Sequence, residues 1–233
     1  MYELKVFLTP ELANTKVLKD ASCVVVDILR ATSSWITALG NEAKLIRPVT
    51  TLKECMNLGK KGFLTAAERN GRKVEGFELG NSPFDYSLET VKGKKIAVTT
   101  TNGSRAVKYA SASKEIYFGA YLNIKALHQQ LSKKENIAIL CSGWEGKPGM
   151  EDILYAGELV NMLSGSHFVT DDSAIIAFEL YKKARQNMYF FLSQAIHVKR
   201  LLKLGLKKDI DYCLKKDVYD IVPKLYKGNI IPG

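Results

Sequence analysis

Short apolar runs alternate with amphipathic segments along most of the chain, and this alternation predicts an α/β fold. Residues 22–27, 95–99 and 136–141 are rich in β-branched side chains and apolar at nearly every position. Such runs are typical of parallel strands covered on both faces. Residues 151–163 instead carry apolar side chains at helical spacing. The pattern therefore predicts a mainly parallel sheet flanked by helices.

The last third of the chain differs from the rest, because residues 171–205 favour helix and offer no strong strand. We expect a late strand at 217–223, placed at a sheet edge because a strand containing Pro223 is tolerated there. Residues 70–94 are rich in Gly, Asn, Ser and Pro and are expected to be mostly loop. The other predicted strands are 2–8, 22–27, 44–49, 63–67, 95–99, 115–118 and 136–141, and the helices 32–40, 52–58, 105–110, 122–131 and 151–163.

Length and composition fit one domain over residues 1–233, with a soft subdivision near residue 165. The net charge is +10, from 34 basic and 24 acidic residues. The lysines lie scattered without interleaved aromatics, so no nucleic-acid partner is predicted, and the basic balance favours a small anionic substrate. No stretch reaches the roughly 18 apolar residues of a membrane span. With no signal peptide either, we expect a cytoplasmic protein without a membrane partner.

Two further features concern packing. The 4 cysteines form no C-x-x-C pair, which predicts reduced, buried thiols rather than a zinc site or disulfides. The apolar segment 188–192 can serve as core or as a contact, so a second copy of this chain is a candidate partner.

The most suggestive single stretch is residues 99–104, Thr-Thr-Thr-Asn-Gly-Ser, which follows a predicted buried strand and precedes a helix. Hydroxyls and free backbone N–H groups at the positive end of a helix are suited to a phosphate or similar anion. It is not a Walker A loop, because the Gly-x-x-x-x-Gly-Lys spacing is absent. The alternative is an ordinary turn in which Asn102 or Ser104 caps the helix.

Polar side chains follow several other predicted strands, and in a parallel sheet such positions meet at one edge. The acidic groups could hold Mg²⁺, which takes one or two carboxylates together with substrate oxygens. Arginines there could bind phosphate in bidentate fashion. This combination favours phosphoryl transfer or phosphate-ester hydrolysis. The polar residues concerned are Asp27, Arg30, Glu68, Arg69, Cys141, Ser142, Glu145, Glu151 and Asp152.

Each of these residues also has an ordinary structural interpretation. Asp27 could simply cap the following helix, and Glu151 with Asp152 could be first-turn acids that favour the helix dipole. Cys141 is more typical of a small core residue than of a nucleophile. His197 sits among helical residues, where we interpret it as a packing or surface side chain.

Several blocks of the chain, in order, resemble the 2-phosphosulfolactate phosphatases of coenzyme M biosynthesis over about residues 5–225. Within them Ala67 stands where the family usually has Gly, and Glu78 where Asp is common. The matching blocks are 24–33 (VVVDILRATS), 68–71 (ERNG), 76–83 (GFELGNSP), 100–104 (TTNGS), 141–143 (CSG) with Glu151 and Asp152, and Leu204, Gly205, Asp209, Cys213, Asp217, Val222 and Pro223 near the end.

The resemblance implies an α/β fold of family-specific topology and a Mg²⁺-dependent phosphatase that converts (2R)-2-phospho-3-sulfolactate to 3-sulfolactate and phosphate. Asp27, Glu68 and Asp152 are the predicted metal ligands. The resemblance and the strand-end positions together give a catalytic set of Asp27, Arg30, Glu68, Cys141 and Asp152, and a substrate-binding set of Arg69, Asn81, Ser82, Thr99, Thr100, Thr101, Asn102, Gly103 and Ser104.

In the expected mechanism, Arg30 and the backbone amides of residues 101–104 hold the phosphate, and Arg69 or a lysine recognises the sulfonate or carboxylate. Water and Asp27 are alternative nucleophiles. The Asp-x-Asp-x-Thr pattern of aspartyl phosphatases is absent, because Leu29 occupies its second acidic position. Two rival functions remain open: a cysteine hydrolase of the isochorismatase type using Cys141, and a non-catalytic binder of a phosphorylated metabolite.

Overall fold

A sheet of eleven strands organises the protein in its computed structural model, which describes residues 2–233. The strands are β1 Glu3–Phe7, β2 Ser22–Val26, β3 Leu45–Pro48, β4 Leu64–Arg69, β5 Arg72–Lys73, β6 Lys95–Thr99, β7 Glu115–Gly119, β8 Ile137–Cys141, β9 Phe168–Val169, β10 Lys224–Tyr226 and β11 Asn229–Ile231. Their order across the sheet is β5-β4-β6-β3-β11-β10-β7-β2-β8-β1-β9. Most neighbouring strands are parallel, which confirms the predicted mainly parallel α/β fold.

Helices cover both faces of the sheet. Alternate residues of β2 pack in two separate apolar clusters, with Val24 and Val26 in one cluster and Val25 in the other. Because successive side chains of a strand point to opposite faces, the all-apolar run follows from this two-sided burial. The helices are α1 Thr15–Lys19, α2 Ala31–Gly40, α3 Leu52–Gly59, α4 Leu88–Val91, α5 Gly103–Ala110, α6 Ile124–Leu131, α7 Met150–Leu163, α8 Asp172–Ala184, α9 Met188–Leu192, α10 Ile196–Lys203 and α11 Lys207–Cys213.

The predicted helix-rich C-terminal third is confirmed by α8 to α11, but the late strand predicted at 217–223 is wrong. That segment instead crosses the end of β7, where Asp217 N donates to Tyr121 O at 3.0 Å and Phe118 N donates to Pro223 O at 3.0 Å. The strands form just after it, as the β10–β11 hairpin, which turns at Lys227 and Gly228 with φ of 48° and 76°. Strands of three residues are too short to show a periodic pattern, so the hairpin leaves little sign of itself in the sequence.

The hairpin also occupies an unexpected position, in the middle of the sheet rather than at an edge. Strand β10 pairs with β7 and β11 pairs with β3, both antiparallel, so the hairpin joins two otherwise parallel groups of strands. Pro223 is accommodated because it precedes β10 and contributes its carbonyl, which needs no N–H group.

Two other sequence expectations concern the rest of the chain. The four cysteines are free and buried, as predicted. Among residues 2–233, no helix is long and apolar enough to cross a membrane.

Candidate active site

A cleft lies at the carboxyl ends of the parallel strands. Segments that follow β2, β4, β6 and β8 contribute to it, and so does helix α10. Half of the predicted site residues are therefore brought together here, namely Asp27, Arg30, Glu68, Asn81, Thr100, Thr101 and Asn102. The cleft is lined by these residues and by Leu29, Asn70, Gly71, Trp144, Glu145, His197, Arg200 and Leu201.

The segment that follows β6 reaches across the sheet to the residues that follow β2. Four strands separate β6 from β2 in the sheet order, which in a flat sheet would put them about 24 Å apart at the usual strand spacing. Nevertheless Gly103, four residues after the end of β6, lies directly against the residues that follow β2. A Cβ at Gly103 would stand 3.1 Å from Asp27 Oδ2 and 2.6 Å from the Cβ of Ala31. Glycine is thus the residue that allows this close approach.

The loop at residues 99–104 is shaped by a reciprocal pair of hydrogen bonds. Ser104 N donates to Thr100 Oγ1 at 3.1 Å, and Thr100 N donates to Ser104 Oγ at 3.1 Å. Thr100 therefore supplies the side-chain cap of α5, whereas Asn102 stands at the cap position without a side-chain capping bond. The alternative in which the side chain of Asn102 or Ser104 caps the helix is therefore wrong in its choice of residue. The side chain of Asn102 is consequently left for the cleft, whereas the Thr101 hydroxyl, also in the cleft lining, donates to Glu68.

Asp27 serves both the fold and the cleft. Its Oδ1 accepts a hydrogen bond from Ala31 N at 3.0 Å, which caps the start of α2, while Oδ2 accepts none from the described residues. Burial raises the pKa of Asp27 to about 6; the Ala31 N–H and His197 oppose this rise, and the charges of Glu68 and Glu151 add to it. A cation or hydrogen-bond donor beside Oδ2 would therefore stabilise the charged form.

Glu68 connects two of the loops that line the cleft. Its Oε1 accepts from Gly71 N at 2.5 Å, and its Oε2 accepts from Thr101 Oγ1 at 3.2 Å and Thr101 N at 3.4 Å. This buried carboxylate therefore fixes the turn after β4 against the loop after β6.

Arg30 is held in place by a buried ion pair that the sequence did not reveal. Its Nη1 binds Asp209 Oδ2 of α11, and its Nη2 donates to Gly71 O at 2.8 Å. Both side chains are less than a tenth exposed. The Arg30 guanidinium is thus fixed in the lining of the cleft. The carboxylate that orients it comes from the helical last third of the chain.

The sequence predicts a packing or surface role for His197, whereas in the structure its buried side chain lines the cleft. Its Nδ1 lies 2.5 Å from Glu151 Oε1, and its ring stacks on Trp144 with centroids 5.3 Å apart and planes 9° from parallel. The other ring nitrogen, Nε2, has no partner among the described residues. The sequence carries one sign of this arrangement: His197 and Arg200 are three residues apart and so share a helix face.

Asp152 ties two loops together instead of lining the cleft. Its Oδ1 accepts from Ile28 N at 2.9 Å and its Oδ2 accepts from Gly143 N at 3.1 Å, so both oxygens are engaged by backbone groups. Burial and the nearby charges of Glu151 and Asp27 raise its pKa well above the usual value. The side chain therefore fastens the segment after β2 to the segment after β8.

The other predicted site residues outside the cleft lining make local contacts. Arg69 donates to Glu68 O at 2.6 Å and to Thr99 Oγ1 at 3.1 Å, so its guanidinium braces β4 against β6. Ser82 accepts from Phe84 N at 3.3 Å and begins a turn at Pro83–Asp85. Gly103 allows the loop to approach Asp27 closely, and Ser104 exchanges hydrogen bonds with Thr100.

Cys141 lies within the core, fully buried at the end of β8. Burial raises its pKa well above the ordinary thiol value, and the charges of Asp152 and Glu151 act in the same direction. A nucleophilic cysteine needs the opposite, a lowered pKa with access to substrate. The geometry therefore disfavours the cysteine-hydrolase alternative.

Replacing Cys141 with alanine should leave phosphate release within about twofold of wild type and lower the free energy of unfolding by about 1 kcal/mol, as expected for trimming a small core residue. Steady-state kinetics and denaturant unfolding measure the two effects. Cys23→Ala, in another fully buried strand position, is the matched control. A selective loss of turnover in the Cys141 variant would restore the nucleophile hypothesis.

The predicted metal set of Asp27, Glu68 and Asp152 fits the geometry only in part. Within residues 2–233, no group of three or more His, Cys, Asp or Glu side chains is disposed to hold a metal ion. Asp152 does not fit as a ligand, because it lies outside the cleft lining and both of its oxygens accept backbone hydrogen bonds. Asp27 and Glu68 fit better, since both line the cleft and Mg²⁺ commonly takes one or two protein carboxylates. Oδ2 of Asp27 accepts no hydrogen bond from the described residues, and the bonds that Glu68 Oε2 accepts from Thr101 are long, at 3.2 and 3.4 Å.

Taken together, the mainly parallel sheet and its cleft of carboxylates, a fixed arginine and a helix N-terminus define an α/β protein suited to bind and process a small anion. Comparison with known proteins makes this class specific. A family model described as 2-phosphosulpholactate phosphatase matches residues 7–228. The chain belongs to the 2-phosphosulfolactate phosphatase family, which places it among phosphoric monoester hydrolases.

Individual relatives are similar over nearly their whole length, and each is named a probable 2-phosphosulfolactate phosphatase. The relative from Caldanaerobacter subterraneus subsp. tengcongensis is 42% identical over 231 residues, covering 97% of this chain and 96% of its own. The Clostridium tetani relative is 41% identical over 219 residues, covering 92% and 93%. The Thermotoga petrophila relative is 38% identical over 210 residues, covering 90% and 91%.

Proposed function

We propose that this protein hydrolyses (2R)-2-phospho-3-sulfolactate to 3-sulfolactate and phosphate in a Mg²⁺-dependent reaction. The observation that carries the proposal is the approach of the loop at residues 99–104 to Asp27, which juxtaposes an anion-binding helix end and a free carboxylate oxygen. Family membership supplies the substrate.

The phosphate is held between the start of α5 and Arg30. The backbone N–H groups at the beginning of that helix carry partial positive charge, and the side chain of Asn102 adds a neutral donor. Arg30 contributes a full charge whose direction is set by Asp209. Such preorganised donors stabilise the charge that develops on the phosphoryl oxygens.

Asp27 and Glu68 would hold Mg²⁺, which when bound neutralises phosphate charge and polarises the phosphoryl group. Both carboxylates are already oriented by the fold, Asp27 through Ala31 N and Glu68 through Gly71 N. Direct attack by water fits this site better than attack by Asp27 to form a phospho-enzyme, because Leu29 occupies the position of the second acidic residue of aspartyl phosphatases.

His197 handles the proton of the leaving group. Hydrolysis forms a bond from a water oxygen to phosphorus and breaks the bond from phosphorus to the substrate's C2 oxygen, which must take up a proton. Glu151 fixes the imidazole through Nδ1 and leaves Nε2 for the substrate. The stacked Trp144 ring prevents the imidazole from turning away.

Replacing His197 with glutamine should lower kcat for an alkyl phosphate such as phospholactate by about 100-fold or more, the usual contribution of a general acid. An aryl phosphate with a good leaving group needs little proton transfer, and its kcat should fall much less. Parallel steady-state assays on both esters make the comparison. An equal loss on the two esters would contradict a role in protonating the leaving group. His128→Gln is the control, since His128 instead contacts Met162 O.

The proposed function is tested by phosphate release from a panel of phosphorylated hydroxy acids, with Mg²⁺ and with EDTA. We expect turnover of 2-phospho-3-sulfolactate that disappears on chelation and returns when Mg²⁺ is added. Binding of these esters without turnover under any metal condition would instead support the non-catalytic binder.

The remaining parts of the proposal concern context. We infer that residues 1–233 act as one catalytic domain. We also infer that the protein works in the cytoplasm, because free, buried thiols suit a reducing compartment. No nucleic-acid partner is proposed. Exposed aromatic side chains in α9, Tyr189 and Phe190, keep a second copy of this chain as a candidate partner.

A further inference from the structure

Arg200 is the basic residue of the cleft lining whose charge the proposed hydrolysis does not use. The other basic side chains in the cleft lining are engaged, Arg30 with Asp209 and His197 with Glu151. Among residues 2–233, Arg200 makes neither an ion pair nor a side-chain hydrogen bond. An arginine held in a cleft with unused donors is suited to bind an oxyanion.

Its position is nevertheless well defined. The guanidinium carbon lies 5.7 Å from the ring centroid of Trp144, in cation–π geometry. That ring belongs to a tight turn in which Trp144 N donates to Lys147 O at 2.8 Å, and Lys147 N donates back to Trp144 O at 3.0 Å. The guanidinium also reaches Gly71, where an added Cβ would lie 3.4 Å from Nη1. Arg200 is thus oriented by stacking, which leaves its N–H groups free.

A second observation points to a ligand in the same cleft. Asn81 is only 6% exposed and lines the cleft, and its Oδ1 is buried without any hydrogen-bond partner. A buried polar atom without a partner is costly unless a ligand or water satisfies it. The cleft therefore holds an unused hydrogen-bond acceptor, Asn81 Oδ1, as well as the unused donors of Arg200.

We propose that Arg200 is the specificity determinant of the site and binds the second oxyanion of the substrate, a carboxylate or a sulfonate, while the α5 end holds the phosphate. This inference rests on the proposed function and deepens it by naming the residue that would distinguish the substrate from a simple phosphate monoester. It also replaces Arg69, whose guanidinium is bound to Glu68 O and Thr99, as the group that recognises the non-reacting end.

The test compares Arg200→Gln with wild type on three esters: 2-phospholactate, with a carboxylate; 2-phosphooxyethanesulfonate, with a sulfonate; and ethyl phosphate, with neither. Loss of a charge-assisted contact should lower kcat/KM about 10- to 100-fold on esters that carry the recognised group. Ethyl phosphate should be unaffected. The ester that loses most identifies carboxylate or sulfonate as the partner, and Arg200→Lys should recover part of the loss.

Lys199→Gln is the matched control, because it removes the same charge from an exposed position on the same helix. Equal losses on all three esters, or none on any, would overturn the proposal. Calorimetric binding of 3-sulfolactate and of inorganic phosphate keeps the test independent of turnover. If the wild type hydrolyses nothing, the proposed function fails, yet weaker sulfolactate binding by Arg200→Gln with phosphate binding unchanged would still support the role of Arg200.

Discussion

Asp27→Asn is expected to abolish phosphate release, by about a thousandfold or more, and at the same time to stabilise the fold. Activity is lost because the variant cannot supply the negative charge that would hold Mg²⁺ against the phosphate, and such electrostatic contributions are among the largest in catalysis. The amide retains an oxygen that can accept the Ala31 N–H group, so the start of α2 should be undisturbed.

The gain in stability follows from burial. Folding raises the pKa of Asp27 from 3.8 to about 6, so the folded state binds the extra proton between these values. Stability of the wild type therefore falls as pH rises through this window. The cost at pH 8 is on the order of 3 kcal/mol, by the standard conversion of a pKa shift to free energy.

Thermal unfolding in EDTA at pH 8 and pH 4 measures this effect. The Asp27→Asn variant should melt several degrees above wild type at pH 8, with the difference shrinking toward pH 4. Asp20→Asn, at an exposed position, should change neither Tm nor activity. A lower Tm for Asp27→Asn at pH 8 would show that the ionised carboxylate stabilises the fold.

Asp209→Ala is expected to lower the free energy of unfolding by about 3 to 5 kcal/mol, because it leaves the buried guanidinium of Arg30 without its partner. Activity should fall as well, since the same carboxylate aims Arg30 into the cleft. Urea unfolding followed by circular dichroism, together with phosphate release, measures both effects.

Asp211→Ala is the control, since Asp211 lies on the same helix in an exposed pair with Lys207 and such pairs contribute about 0 to 1 kcal/mol. The double variant Arg30→Met with Asp209→Leu keeps the prediction testable if the single variant does not fold. It should regain stability, because apolar replacement of a buried ion pair is often neutral, but not activity. Recovered activity in the double variant would exclude Arg30 from phosphate binding.

Much of the cleft could be predicted from strand ends. Asp27, Glu68 and Thr101 follow apolar runs directly, and in a parallel sheet this position alone brings side chains to one edge. The contribution of the helical third could not be predicted in the same way. His197, Arg200 and Asp209 occupy amphipathic helices whose docking depends on tertiary packing, which periodicity does not encode.

The two acidic residues at the start of α7 show a second limit of prediction from the sequence. Sequence places Glu151 and Asp152 side by side in a first turn, where either could face the cleft or the helix dipole. In the fold Glu151 reaches His197, whereas Asp152 accepts two backbone N–H groups. Adjacent helix positions differ by about 100° in direction, so the division of roles depends on how the helix is rotated against the sheet.

The central position of the β10–β11 hairpin has a consequence for how the protein is made. Asp27 follows β2 on one side of the hairpin, whereas Glu68 lies near the end of β4 and Thr101 follows β6 on the other side. On the ribosome, strands β1 to β9 emerge before the two that join these groups. Until then, β3 and β7 present unpaired edges that can pair with other chains. Pairing of β10 with β7 and of β11 with β3 thus covers these two edges and joins the two sides of the cleft in a single step.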